Sequence, residues 1–97
     1  MLLVCASAPA FGQDAQQVMM MENAKATVKG QLRDPDSAKF SNVRVSSKMG
    51  VTIVCGLVNS KNGFGGYNGN MRFMSAGGRV TFDQDDPNFA GYWQKAC

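Results

Sequence analysis

The spacing of apolar residues changes along the chain and predicts a helix, then four strands, then a second helix. Over residues 14–32 apolar side chains recur every three or four positions, which is typical of one buried stripe on a helix. The segment lacks proline and is rich in good helix formers, so we expect the helix to begin near Asp14 and to end near Leu32. The predicted stripe comprises Val18, Met21, Ala24 or Lys25, Val28 and Leu32.

Beyond Phe40 apolar and polar residues alternate, and this period of two predicts strands. The most apolar stretch, residues 51–58, is rich in β-branched side chains, which indicates a central strand buried on both faces. The dipeptide Gly77-Gly78 is typical of a tight hairpin turn. The predicted strands are residues 42–46, 51–58, 71–75 and 80–82.

The last helix is predicted from Pro87 to Cys97, because the preceding aspartates and the proline are favoured at the start of a helix. Phe89, Ala90 and Trp93 would share its buried face. We therefore expect an α+β fold: an N-terminal helix, a four-stranded antiparallel meander sheet and a short C-terminal helix, with both helices on one face of the sheet.

Residues 1–12 carry no charge and run from an apolar stretch into small residues, as the end of a secretory signal peptide does. We interpret them as a signal-peptide remnant, which makes residues 13–97 a single small domain and the location periplasmic or secreted. Two alternatives stay open: an apolar N-terminus packed on the domain, and lipidation at Cys5. The run of apolar residues is too short for a transmembrane span.

Loss of residues 1–12 would remove Cys5 and leave Cys55 and Cys97. An even pair of cysteines in an exported chain is most simply a disulfide, and a domain this small needs such a cross-link. The alternative is a reactive cysteine, but the chain has no histidine to activate one.

Three segments of the chain resemble a known pattern: D-P-x-S-A-K-F at residues 34–40, V-C-G-x-V-N-x-K-N-x-F-G-G-Y-x-G at residues 54–69, and a terminal cysteine. The pattern is similar to that of small, uncharacterised exported proteins of proteobacteria and their prophages. The resemblance covers most of residues 13–97. It implies an exported single domain and supports Cys55 and Cys97 as a structural pair, and it carries no activity.

The absence of histidine also removes the commonest general base and the commonest metal ligand. The carboxylates fall at predicted helix caps and beside turns, Asp34 and Asp36 among them, and no cysteine spacing fits a zinc site. We therefore predict a protein that is not an enzyme, with no catalytic residues, no cofactor and no metal.

The predicted loop of residues 59–69 is the strongest candidate for a binding surface. Its glycines free backbone amides, and Phe64 and Tyr67 offer rings for stacking, although the spacing fits neither a P-loop nor a dinucleotide fingerprint. In the structural alternative, glycine and asparagine supply left-handed conformations while Phe64 and Tyr67 close the edge of the core. The candidate binding residues are Asn59, Lys61, Asn62, Phe64, Tyr67 and Asn68.

Positive charge is concentrated in the middle of the chain. The segment from Lys25 to Arg79 contains nine basic residues, and its only acidic residues are Asp34 and Asp36. Our main hypothesis is an exported, disulfide-stabilised binding domain that uses the 59–69 loop and the adjoining sheet edge. Its partner would be a protein or another envelope component. The alternative is a basic module that binds nucleic acid, the less favoured partner, or an anionic envelope polymer.

Overall fold

A computed structural model describes residues 2–97, with side chains described from residue 15 onward. Four strands pair in the antiparallel order β1-β2-β3-β4, with one helix before the sheet and one after it. The predicted α+β meander is therefore confirmed. Its elements are α1 (Leu2–Lys29), β1 (Lys39–Ser46), β2 (Ile53–Asn59), β3 (Met71–Ala76), β4 (Arg79–Phe82) and α2 (Phe89–Ala96), with single 3-10 turns at Pro35–Ser37 and Asp83–Asp85.

The first helix differs from its predicted bounds at both ends. It already includes Leu2, and it ends at Lys29 because Gly30 begins a tighter turn in which Gln31 N–H donates to Val28 O and Leu32 N–H donates to Lys29 O. The predicted signal-peptide remnant, residues 1–12, lies outside the part of the chain whose side chains are described. No helix of the described residues is both long enough and apolar enough to cross a membrane.

The C-terminal half of α1 covers one face of the sheet. Ala24 and Val28 are buried there against Val54, Val58 and other apolar side chains of all four strands. The N-terminal end of the predicted stripe does not contribute to this core, since Val18 is exposed. The strand members of this core include Phe40, Val45, Phe73, Val80 and Phe82.

The second helix packs on the opposite face, and the expectation that both helices share one face is wrong. Successive side chains of a strand point to opposite faces, so Val54 and Val58 face α1 while Ile53 and Cys55 face away from it. Ala96 of α2 is buried with Ile53 and Cys55. The sheet is therefore the middle of three layers.

The predicted disulfide joins Cys55 to Cys97, with an S–S distance of 2.02 Å and a Cα–Cα distance of 6.1 Å. It ties the residue after α2 to the fully buried centre of β2. Polar contacts add to this attachment, since Ser46 Oγ donates to Ala96 O and the guanidinium groups of Arg44 and Arg72 lie 5.3 and 5.5 Å from the centre of the Trp93 ring. The disulfide therefore fixes the whole C-terminal layer.

The central strand begins two residues later than predicted, at Ile53. Val51 lies in the turn between β1 and β2 and is 63% exposed, so its β-branched side chain is not part of the core. The first strand begins earlier than predicted, because Lys39 and Phe40 pair with Asn59 and Val58. This early start brings Lys39 to the end of the sheet where the candidate loop leaves β2.

Candidate functional site

The candidate loop, residues 59–69, connects β2 to β3 and is folded back on itself. Lys61 and Tyr67 form an isolated antiparallel bridge, and Asn68 N–H donates to Ser60 O at 3.2 Å. The two arms of the loop therefore continue the β2–β3 hairpin for a short distance. The tip of the loop lies between them, at residues 62–66.

Asn62 organises the tip. Its side-chain Oδ1 accepts hydrogen bonds from Phe64 N–H at 2.9 Å and from Gly66 N–H at 3.2 Å. Its backbone N–H donates to Gly66 O at 2.8 Å, and its carbonyl accepts from Gly65 N–H at 3.1 Å. An asparagine side chain that bonds amides a few residues ahead mimics a backbone turn. All three amides of residues 64–66 are thus satisfied within the loop.

The other two predicted asparagines also serve the loop itself. Asn59 Oδ1 accepts from Gly69 N–H at 3.0 Å, and Asn68 Oδ1 accepts from Asn62 Nδ2 at 3.1 Å. Gly65 and Gly69 have φ values of +84° and +93°, a region in which residues with a Cβ are strained. The structural alternative therefore holds for Gly65 and Gly69, which take left-handed conformations. Asn59, Asn62 and Asn68 do not take such conformations and serve the loop through side-chain hydrogen bonds instead.

Ser37 attaches the loop to the turn that precedes β1, a role that was not predicted from the sequence. Its Oγ accepts from Lys61 N–H at 2.8 Å and donates to Asp34 O at 2.7 Å. Its carbonyl accepts from Tyr67 Oη at 3.1 Å. Two segments that were recognised separately, residues 34–40 and 54–69, are therefore one structural unit.

Tyr67 is not an open stacking platform. The ammonium groups of Lys39 and Lys61 lie 4.6 and 5.8 Å from its ring centre, and its hydroxyl is engaged by Ser37. The three side chains form a small cation–π cluster. The ring is therefore already in contact with two cations, although 41% of the residue is still exposed.

Phe64 stands apart from the rest of the loop. Its side chain is 99% exposed, the highest exposure among the large apolar residues from Ala15 onward. The prediction that it closes the edge of the core is wrong, because the ring makes almost no contact with the rest of the domain. The ring of Phe64 is therefore exposed to solvent on an internally hydrogen-bonded loop, without an apolar neighbour among the described side chains.

A third cation lies against the tip. A Cβ on Gly63 would sit 3.1 Å from Nη1 of Arg33, which places the guanidinium against the loop backbone. Among residues 15–97, no carboxylate oxygen lies within 4.0 Å of a charged nitrogen of Arg33, Lys39 or Lys61. The loop thus combines one exposed ring at its tip with three cations, one beside Gly63 and two beside Tyr67, that have no ion-pair partner in the described part of the chain.

Two open depressions of about 550 and 310 Å³ lie at the base of the loop, beside the turn Asp83–Asp85. Their shared walls are mostly polar and are formed by Ser60, Asn68, Met71 and Gln84. No group of three or more metal-ligating side chains occurs among the residues that the structure describes. The base of the loop is therefore a solvated groove.

The remaining basic residues of the middle segment do not join the loop in one charged face. Arg44 and Arg72 lie over the Trp93 ring on the α2 face, and Arg72 also pairs with Asp83 at 2.9 Å. Lys48 lies in the turn between β1 and β2, at the other end of the sheet. The basic residues between Lys25 and Arg79, which give that segment a net charge of +7, are therefore distributed over both faces and both ends of the fold.

The sheet edge beside the loop is interrupted. The register of β1 with β2 shifts between Ser41 and Arg44, and Asn42 has a φ of +52°. Such bulges are common at exposed edges, where they disturb pairing with an added strand. The loop tip is therefore a better candidate than the edge for the contact surface.

Comparisons of the chain with protein-family models, with curated proteins and with solved structures found no match. The resemblance to small exported proteins stays a prediction from the quoted motifs.

Proposed function

We propose that this chain is an exported, disulfide-stabilised, non-enzymatic interaction domain that contacts its partner through the tip of the 59–69 loop. The partner is a protein or another component of the cell envelope. The observation that carries the proposal is the exposure of Phe64 on an internally bonded loop.

An exposed aromatic ring on an ordered tip has the properties of a binding anchor. Large rings contribute strongly at interfaces because they bury much apolar area, and a preformed loop loses little conformational freedom on binding. The five hydrogen bonds made by Asn62 provide this order. Among residues 15–97 the Phe64 ring packs against no part of the core, which supports a role outside the domain.

Export is supported by the cysteine pair and by the character of the N-terminal residues. A disulfide between Cys55 and Cys97 is compatible with an oxidising compartment, in which such bonds persist. The uncharged residues 1–12 add the sequence argument for a signal-peptide remnant. We therefore place the domain in the periplasm or outside the cell.

The basic-module alternative receives less support, because Arg44 and Arg72 are occupied with Trp93 on the α2 face. A nucleic-acid surface uses a continuous basic patch or stripe. The cations around the loop, Arg33, Lys39 and Lys61, form a small local group rather than such a stripe.

A photo-crosslinking experiment tests the proposal. A benzophenone amino acid is placed at position 64 of the full chain, which is then incubated with detergent-solubilised envelope extract and irradiated. We expect a discrete adduct, and we expect unlabelled wild-type protein to compete for it about tenfold better than Phe64→Ala does.

The matched control carries the same amino acid at position 92, since Tyr92 is also an exposed aromatic residue, at 50%, on α2. Equal adducts at positions 64 and 92, or equal competition by the wild type and Phe64→Ala, would contradict the proposal. Unchanged circular dichroism of each variant would show that the fold is intact.

A further inference from the structure

We infer that the partner surface is a lipid bilayer with anionic headgroups, into whose interfacial region the loop inserts the ring of Phe64. This inference rests on the proposed function and names the class of partner for the same loop tip. Three properties of the tip carry it: the shape around the ring, the state of the backbone amides and the unpaired cations.

The tip presents a single large side chain. Gly63 precedes Phe64, and Gly65 and Gly66 follow it, so no other side chain of residues 63–66 limits how deeply the ring can enter a surface. Neither Gly65 nor Gly66 has an atom within 4 Å of the position of a Cβ, which leaves the tip narrow and open. An aromatic residue that projects in this way gains most from the interfacial layer of a bilayer, where aromatic residues concentrate.

The amides at the tip are prepared for a surface with few hydrogen-bond acceptors. The amides of Phe64, Gly65 and Gly66 already donate to Oδ1 or to the carbonyl of Asn62. An amide that enters an apolar layer without a partner costs several kcal/mol, and internal bonding removes that cost. A protein groove that binds an extended segment uses free backbone amides, which this tip lacks at all three positions.

The cations favour an anionic surface. Arg33 lies against Gly63 of the tip, and Lys39 and Lys61 lie beside Tyr67 in the arm of the loop. None of the three has an ion-pair partner among residues 15–97. Each basic side chain held near an anionic leaflet strengthens binding about fivefold. The carboxylates of this end of the domain, Asp34, Asp36 and Asp85, oppose that attraction.

Co-sedimentation of the full-length protein with vesicles tests the inference. One set of vesicles contains equal parts of phosphatidylcholine and phosphatidylglycerol, and the other contains phosphatidylcholine alone. We expect binding to the anionic vesicles that weakens with salt. We expect Phe64→Ala to weaken it about tenfold and Tyr92→Ala to leave it unchanged.

The charge contribution is measured in parallel. Lys39→Gln and Lys61→Gln should each weaken binding to the anionic vesicles about fivefold, whereas Lys48→Gln, at the other end of the sheet, should not. Asp36→Asn should strengthen binding. If Lys48→Gln weakens binding as much as Lys61→Gln does, net charge rather than the tip drives the interaction and the inference is overturned.

A fluorescent variant reports insertion directly. Phe64→Trp should bind at least as tightly as the wild type, and its emission should shift to the blue when anionic vesicles are added, because the new indole leaves water. Wild-type protein, which retains Trp93, gives the background. Binding without a blue shift would overturn the inference.

Failure of the inference and failure of the proposed function are distinguishable. A protein adduct from position 64 in envelope extract, together with no vesicle binding, would overturn the lipid surface and leave the interaction domain standing. Vesicle binding that Phe64→Ala does not change would also overturn the inference, since another part of the chain would then carry it. Vesicle binding that depends on Phe64, with a lipid adduct from position 64, would support both.

Discussion

Removing the Cys55–Cys97 cross-link should destabilise this domain by about 4 kcal/mol. The two cysteines are 42 residues apart in sequence. In the chain-entropy model a loop of that length lowers the entropy of the unfolded chain by about 13 cal/mol/K, which is about 4 kcal/mol at 25 °C. Small domains are stable by only about 5–15 kcal/mol, so the cross-link supplies a large share of the total.

The structure predicts different effects for the two cysteines. Cys97→Ala removes the cross-link and leaves the Cys55 thiol in an apolar site, where a thiol behaves as a small hydrophobic group. Cys55→Ala removes the cross-link and also a fully buried sulfur at the centre of the sheet, and the resulting cavity should cost about 1 kcal/mol more.

Urea denaturation, followed by circular dichroism, measures both effects. With a slope of about 1.5 kcal/mol per M, Cys97→Ala should lower the midpoint by about 2.5 M, and reductant should lower the wild-type midpoint to the same value. Thiol titration of the unfolded, unreduced full chain is the control, and it should find one free thiol, that of Cys5. A midpoint change below about 0.5 M, or three free thiols, would refute the reasoning.

Three further predictions concern backbone positions. Gly56→Ala should destabilise the domain by about 1–3 kcal/mol in urea denaturation, because its methyl group would lie 2.9 Å from the Phe73 ring, whereas Gly66→Ala, with open space around it, should be neutral. Gly91→Ala should raise stability by up to about 1 kcal/mol, since Gly91 is an exposed position inside α2 with no atom near its Cβ site, and a lower thermal midpoint would contradict this. Asn62→Ala should speed hydrogen exchange of the tip amides about tenfold with little change in global stability, and unchanged exchange would contradict its organising role.

The strand pattern was sufficient to predict the sheet, but the placement of the second helix needed one more step. Val54 and Val58 are four residues apart on β2, so their side chains share one face of the sheet, whereas the side chain of Cys55 points to the other face. Val54 and Val58 meet α1 on one face of the sheet. A disulfide to Cys55 therefore requires α2 to lie on the opposite face. This information was present in the sequence once the disulfide and the central strand had been predicted together.

The exposure of Phe64, in contrast, could not be predicted from the sequence. A phenylalanine between glycines fits both a projecting tip and a ring folded under the loop, and the composition of the segment does not separate them. The outcome depends on the conformation of residues 62–66, in which the Asn62 side chain accepts hydrogen bonds from the two amides on either side of Gly65. The role of Ser37 was hidden for a similar reason, since it depends on the pairing of Lys39 with Asn59, a contact between residues far apart in sequence.

The attachments of the loop and of the last helix are separate, and this separation has a consequence for function. The loop is held by Ser37 and by its own asparagines at the end of the sheet where β1 begins. The helix α2 is held by Cys55 and by Ser46, at the last residue of β1. Loss of the disulfide therefore loosens the C-terminal layer first, because stability is not uniform across a domain. Contact through Phe64 should survive reduction under conditions in which the sheet stays folded.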